Sequence, residues 1–312
     1  MPVKISVPHA PEGSFTPSSS SPALDVSRLT KSFGANTAVA DLSIRVERGE
    51  SVGLLGPNGA GKSTTLRILS TLLFADGGTA RVLGLDPESS GEEVRSRIGV
   101  VPQEIALYGA MSAAENLTFF AQLARIPRGR IAERVDWALE TAGLADRRDS
   151  KVREYSGGMK RRLNLVAGLL HEPELVFLDE PTAGVDPQSR NHIFEQVERL
   201  RAESGVTLVY TTHQMGEVER LCDRIVILDR GRVVADGTLD ELQGLDAVRR
   251  ETAPRLRLGD AAELARAAAL LKEHGFRFDA EPGHADLESI FLSLTGRALR
   301  DGQSEDAQEV TL

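Results

Sequence analysis

The sequence has one cysteine, Cys222, among 312 residues. No intramolecular disulfide can form, which suits a reducing compartment. No local pattern marks Cys222 as a nucleophile, so it reads as a buried, inert thiol. An excess of basic charge is also missing. The formal net charge is −9, the opposite of the footprint expected of a general nucleic-acid binder. No apolar run approaches the length needed to span a bilayer. Residues 1–22 lack the apolar h-region of a signal peptide and are rich in Ser and Pro; they read as a disordered leader. The final stretch, 300–312, is acidic and polar and reads as a flexible tail. These absences predict a cytoplasmic protein, associated with a membrane only through a partner.

The hydrophobic fraction of 41% and charged fraction of 27% are ordinary for a globular protein, and the length accommodates one large domain plus a small appendage. Ala23–Val26 and Thr37–Val46, joined through turn residues Phe33-Gly-Ala-Asn36, predict an antiparallel β-region. Val82–Leu85 and Ile98–Val101 are further short strand candidates. Helical patterns occupy 112–145, broken at Pro127. Leu175–Leu178 and Val206–Tyr210 are continuous apolar runs, as strands buried on both faces of a parallel sheet require. A helix over 193–202 between them completes a βαβ unit. Ile225–Leu228 and Arg232–Ala235 flank a hairpin turn. After Gly237 the composition shifts, and 239–299 reads as a small α+β appendage.

The most informative stretch is Gly56-Pro57-Asn58-Gly59-Ala60-Gly61-Lys62-Ser63-Thr64, which fits G-x-x-x-x-G-K-[ST]. A short apolar strand precedes it and an apolar-faced helix follows, the context in which this pattern is a phosphate site. Glycines let the backbone press N–H groups against phosphate oxygens, and the helix adds its positive end. Lys62 is expected on the β- and γ-phosphates and Ser63 on Mg²⁺, with Thr64 assisting. Ser156-Gly157-Gly158 is a second phosphate-binding candidate: Ser156 can cap the helix that follows, and the glycines can expose N–H groups at its positive end. The adjoining Lys160-Arg161-Arg162 reads as a solvated basic face.

Further pieces fall in order: Val101-Pro-Gln103, Leu175-Val-Phe-Leu-Asp179-Glu180, Gly184-Val-Asp186-Pro187 and Thr211-Thr-His213. Together with the P-loop and Tyr155–Met159 they resemble the nucleotide-binding subunit of an ATP-binding cassette (ABC) transporter, over roughly 24–238. The resemblance implies an α/β P-loop ATPase domain over 23–238, with a mixed sheet core, an antiparallel β-region and a helical insertion at about 104–170. It makes Tyr155–Met159 the signature, Asp179 a Mg²⁺ carboxylate, Glu180 the catalytic base and Gln103 a sensor of Mg²⁺ or of the attacking water. His213 becomes the switch histidine on the γ-phosphate, Gly184–Pro187 the D-loop and Phe33 the aromatic on adenine. Tyr155 and Met159 depart from the family's Leu and Gln, and Val185 from Leu, without removing a group the chemistry needs.

The implied activity is ATP hydrolysis. The implied assembly is a homodimer, or a pair of ATPase subunits, closed over two ATP molecules, each held between one P-loop and the opposite signature. A separate polytopic permease would hold the cargo and dock against the insertion, especially 104–125. Leu117 and Phe120 can equally be core, so Tyr108 and Glu115 are the better docking tests. Asp286–Arg297 looks like the C-terminal motif of drug-resistance exporter ATPases of the daunorubicin type, which points to an exporter with an unknown substrate, drugs and antibiotics among the candidates. A soluble ABC ATPase driving assembly of a cytosolic complex, such as iron–sulfur machinery, is the alternative. A P-loop kinase or GTPase is disfavoured, since no Asn-Lys-x-Asp motif is present and the signature would go unexplained.

Overall fold

A computed structural model describes residues 21–244 together with 290, 291, 294 and 295. The chain divides into two compact units, Met1–Thr238 and Leu239–Leu312. Residues 1–20 of the expected leader, the acidic tail and most of the expected appendage, including all but four residues of Asp286–Arg297, lie outside the described residues. In the second unit a short helix, Leu239–Gln243, is described.

In the first unit, β1 (Leu24–Phe33) pairs antiparallel with β2 (Asn36–Val46) and with β4 (Gly77–Val82), giving a three-stranded sheet β2-β1-β4. A six-stranded sheet runs β5-β6-β7-β3-β8-β9, built from β3 (Ser51–Leu55), β5 (Ile98–Val101), β6 (Leu175–Asp179), β7 (Thr207–Thr212), β8 (Arg224–Asp229) and β9 (Arg232–Gly237). Its strands are parallel except for the β8–β9 hairpin. Every residue of β3 and β7 is buried, as in strands covered on both faces of a parallel sheet.

Strand alternation sends side chains into two cores. Leu175 and Phe177 of β6 join Leu54, Leu66 of α1 (Lys62–Leu69) and the inner faces of β1 and β2. Val176 and Leu178 point the other way, with Tyr210, onto Ile193, Phe194 and Val197 of α6 (Pro187–Ser204). A third core belongs to the helical insertion. It gathers Leu117 of α3 (Ala113–Leu123), Val135 and Leu139 of α4 (Arg128–Thr141), and Leu163 and Val166 of α5 (Gly157–Ala167).

Val82–Leu85 is not a strand. Leu83 and Gly84 both have positive φ (53° and 82°), and Val82 and Leu85 exchange backbone hydrogen bonds of 2.8 and 2.9 Å across them. This is a tight two-residue turn closing β4. Two seven-residue helices, α2 (Gly91–Arg97) and α7 (Met215–Leu221), were not expected from the sequence; segments this short carry little periodic signal and depend on packing.

Glu174, just before β6, ties sheet and periphery together. Its carboxylate accepts from Arg97 Nε at 2.6 Å and from Arg48 Nη1 at 2.7 Å. The Arg97 hydrogen bond, more than the one from Arg48, lowers its pKa from the ordinary 4.5 to about 2. A depressed carboxylate adds stability above its unfolded value and loses it as pH falls through the folded one. The stability difference between the parent and Glu174→Gln, read from urea midpoints, is therefore expected to be constant above pH 5 and to shrink steadily between about pH 4.5 and pH 2. A difference unchanged across that window would rule the mechanism out.

Candidate nucleotide site

Strand β3 delivers the chain into the 56–64 loop, and α1 leaves it. Gly61 caps α1 at φ 100°, with no side-chain cap and no acidic residue in the first turn. The first N–H groups of a helix have no intrahelical partner, so this end is suited to an anion. Gly59 also has positive φ, 81°. Gly56 and Gly61 have a second reason to be glycine. A Cβ at Gly56 would stand 2.4 Å from Leu228 O, and one at Gly61 2.4 Å from Ala38 O. The loop is pressed against β8 and β2 as well as shaped for phosphate.

Lys62 is only 4% exposed. Its Nζ donates to Gly56 O at 2.7 Å and Pro57 O at 3.2 Å, and lies 3.2 Å from Glu180 Oε1. Burial lowers its pKa, opposed by the charges of Glu180 and Asp179. Ser63 Oγ donates to Asp179 Oδ1 at 3.0 Å, and Thr211 Oγ1 donates to the same oxygen at 2.6 Å. Glu180 is the hub. Besides Lys62, its carboxylate meets Gln103 Nε2 and His213 Nδ1, each at 3.3 Å. Glu180 itself sits at φ 45°, a region that L-residues other than Gly, Asn and Asp avoid. It is held there by its own N–H on Thr211 and by Ala183 N–H on its carbonyl at 3.1 Å. Observed strain of this kind gathers at functional sites.

Six of the expected residues, Lys62, Ser63, Gln103, Asp179, Glu180 and His213, thus form one connected group with the P-loop. Thr211 belongs to it as well, because its hydroxyl bridges the two acidic residues. Phe33 lies at the end of β1, 52% exposed, with Lys31 Nζ 5.6 Å from its ring centre.

Ser156, Gly157, Gly158 and Asp186 form a separate group. Ser156 caps α5 by accepting from Met159 N at 3.2 Å, and Asp186 caps α6 by accepting from Ser189 N at 3.0 Å. A Cβ at Gly158 would stand 2.0 Å from Ser189 Oγ, so that glycine is also required for packing α5 on α6. Among the described residues, no hydrogen bond or ion pair joins 155–159 to the P-loop.

Two sequence expectations change. Lys160-Arg161-Arg162 is not simply a solvated face. Arg161 donates to the carbonyls of Gln103 and Ala183, and Arg162 donates to Ala142 O. Burial lowers the pKa of both guanidiniums. Glu115 is exposed, but its carboxylate accepts from Ser112 N at 2.7 Å in the capping box of α3; reversing its charge would damage the helix start. Cys222 is half-buried rather than fully buried, and desolvation pushes its thiol up to about 12.

With this geometry in hand, comparison with known proteins is decisive. Residues 39–183 match the "ABC transporter" family model. The chain is 39% identical to the linearmycin resistance ATP-binding protein LnrL of Bacillus subtilis (strain 168), over 89% of this chain and all of that one. It is 38% identical to the daunorubicin/doxorubicin resistance ATP-binding protein DrrA of Streptomyces peucetius, over 92% and 96%. It is 39% identical to the Nod factor export ATP-binding protein I of Ralstonia nicotianae (strain ATCC BAA-1114 / GMI1000), over 90% and 96%. The chain belongs to the ABC transporter family, as an ATP-binding subunit of the exporter type.

A solved ATP-binding subunit of an ABC transporter superposes with a TM-score of 0.66 at 30% identity, covering 80% of this chain and 99% of that one. The ABC ATPase fold and ATP-hydrolysing character follow. The alternative of an iron–sulfur assembly ATPase falls, because the relatives are named for resistance and export. Tyr155, Met159 and Val185, where the departures fall, take part in apolar packing. Among the described residues, no helix is long and apolar enough to cross a membrane.

Proposed function

We propose that this ABC ATPase powers export of a drug- or antibiotic-like molecule through a separate polytopic permease, on the cytoplasmic face of the membrane. The observation that carries the catalytic part is the convergence of Lys62, Gln103 and His213 on the one carboxylate of Glu180. In this reading the triphosphate lies on the amides of the P-loop and α1, with the adenine on Phe33. Anionic phosphate oxygens compete for Lys62, which frees the Glu180 carboxylate to take a proton from water. That water's oxygen attacks the γ-phosphorus, the bond to the bridging oxygen breaks, and ADP and phosphate result. Lys62 supplies positive charge, and His213 a ring hydrogen-bonding group, toward the negative charge on the γ-phosphate.

Ser63 and Asp179 already lie within 3.0 Å of each other, and together with Gln103 they offer the hard oxygen donors that Mg²⁺ prefers. A Mg²⁺ held there would neutralise phosphate charge. The signature segment Ser156-Gly157-Gly158, standing apart from its own P-loop, fits a role on the nucleotide of a second subunit. A two-fold interface of that kind is self-complementary.

For the permease, the outer surface of the insertion supplies the contact. Tyr108 is 49% exposed and packs edge-on against Phe119 at 5.0 Å, while Leu123 is 68% exposed. Leu117 is fully buried and belongs to the core. The test is a pull-down of the tagged chain from detergent-solubilised membranes. A stoichiometric multi-span protein is expected, and Tyr108→Asp is expected to lower its recovery by about tenfold, as loss of an aromatic anchor does. Capture of soluble proteins alone under several detergents would overturn the transporter reading.

A further inference from the structure

Glu217, on α7, is 2% exposed and is not one of the groups assigned to nucleotide or water. A carboxylate taken out of water needs partners, and this one has them from three segments. Thr182 Oγ1 donates to Oε1 at 2.5 Å. Thr212 Oγ1 and Tyr210 OH donate to Oε2 at 2.7 and 3.1 Å. Arg190 Nε of α6 stands 4.0 Å from Oε1. Burial and the Glu217 charge raise Tyr210 well above its ordinary value, so its phenol keeps the proton it donates.

The donors are placed where they matter. Thr182 is two residues after Glu180, in the turn whose Ala183 N–H closes on the Glu180 carbonyl. Thr212 immediately precedes His213, and its hydroxyl also accepts from Gln214 N at 3.0 Å. His213 is therefore bracketed by a hydroxyl that Glu217 orients. One carboxylate thus spans the turn of the base and the turn of the switch histidine. Packing alone does not call for this, since an apolar residue of similar volume avoids the desolvation penalty of a buried charge.

We propose that Glu217 is a positioning residue that fixes Glu180 and His213 relative to each other, so that the water-activating carboxylate and the histidine reach the γ-phosphate together. This rests on the roles given above to Glu180 and His213. A network of this type acts as a unit, and displacement of a reacting group by about 1 Å can lower a rate by ~100-fold.

The discriminating variant is Glu217→Gln. The amide keeps the shape, but it offers one acceptor oxygen where two are used, so one arm of the bridge reverses or breaks. Steady-state hydrolysis of Mg-ATP by the purified chain is expected to show kcat down by about tenfold or more, with KM within about threefold. Histidine ring NMR signals supply a second readout, with His213 identified by the signal lost in His213→Ala. The His213 signal is expected to shift in Glu217→Gln while those of His171 and His192 stay. Thr182→Val guards against a Glu217→Gln chain that does not fold, since it removes one arm and leaves the charge. It too is expected to lower kcat at constant KM, and the double variant should be no slower than the worse single one.

A parental kcat and an unmoved His213 signal in Glu217→Gln, or full multiplication of the two losses in the double variant, would overturn the proposal. If instead Glu180→Gln and His213→Ala themselves hydrolyse ATP at the parental rate, it is the underlying assignment of those two residues that fails.

Discussion

Glu180→Gln is expected to bind ATP, hold an ATP-closed dimer and turn over roughly 100- to 10,000-fold more slowly than the parent, the range that loss of a general base produces. The amide has nearly the shape of the carboxylate, so the turn at φ 45°, the bond its N–H gives to Thr211 and the one it accepts from Ala183 can persist. What goes is the negative charge that, in the proposed mechanism, accepts a water proton. Lys62 loses one partner but keeps Gly56 O and Pro57 O, so the phosphate cradle stays cationic. The measurement is single-turnover phosphate release, paired with gel filtration in Mg-ATP. Hydrolysis at the parental rate would remove Glu180 from the role of base.

Lys62→Met is expected to lose nucleotide affinity on the order of 100-fold, the scale of truncating one partner of a buried, hydrogen-bonded charge pair. A titration with a fluorescent ATP analogue reads this directly. The same change leaves the buried Glu180 carboxylate without its 3.2 Å cation, an arrangement that typically costs about 3–5 kcal/mol. The double variant Lys62→Met/Glu180→Gln is therefore expected to be more stable in urea than Lys62→Met alone, although it is catalytically no better. Strictly additive stability losses would mean that the two groups do not depend on each other.

Much of the candidate site was legible because it is made of unusual residues at fixed local spacing. A Gly-Lys-Ser at the start of a helix, a carboxylate pair at the end of an apolar strand and a histidine after another strand each announce themselves within about ten residues. The six-stranded sheet was legible for a related reason: strands buried on both faces leave continuous apolar runs. The rest depends on contacts between distant segments. Thr211 is an ordinary strand threonine until β6 and β7 lie side by side and its hydroxyl reaches Asp179. Arg161 looks solvated in a Lys-Arg-Arg run, yet the packing of α5 carries it to carbonyls 58 and 22 residues away along the chain. The turn at Leu83 was missed because leucine seldom takes positive φ, so its side chain suggested a strand.

The backbone angle at Glu180 has a consequence for descent. At φ 45° the cheapest occupants are glycine, asparagine and aspartate, and drift without selection would carry the position toward them. A glutamate is kept there only while something rewards its reach and charge. On the role proposed for Glu180, glutamate at this position in chains descended from a common ancestor with this one would mark lineages still selected for hydrolysis, and a turn relaxed to glycine or asparagine would mark those in which it has lapsed.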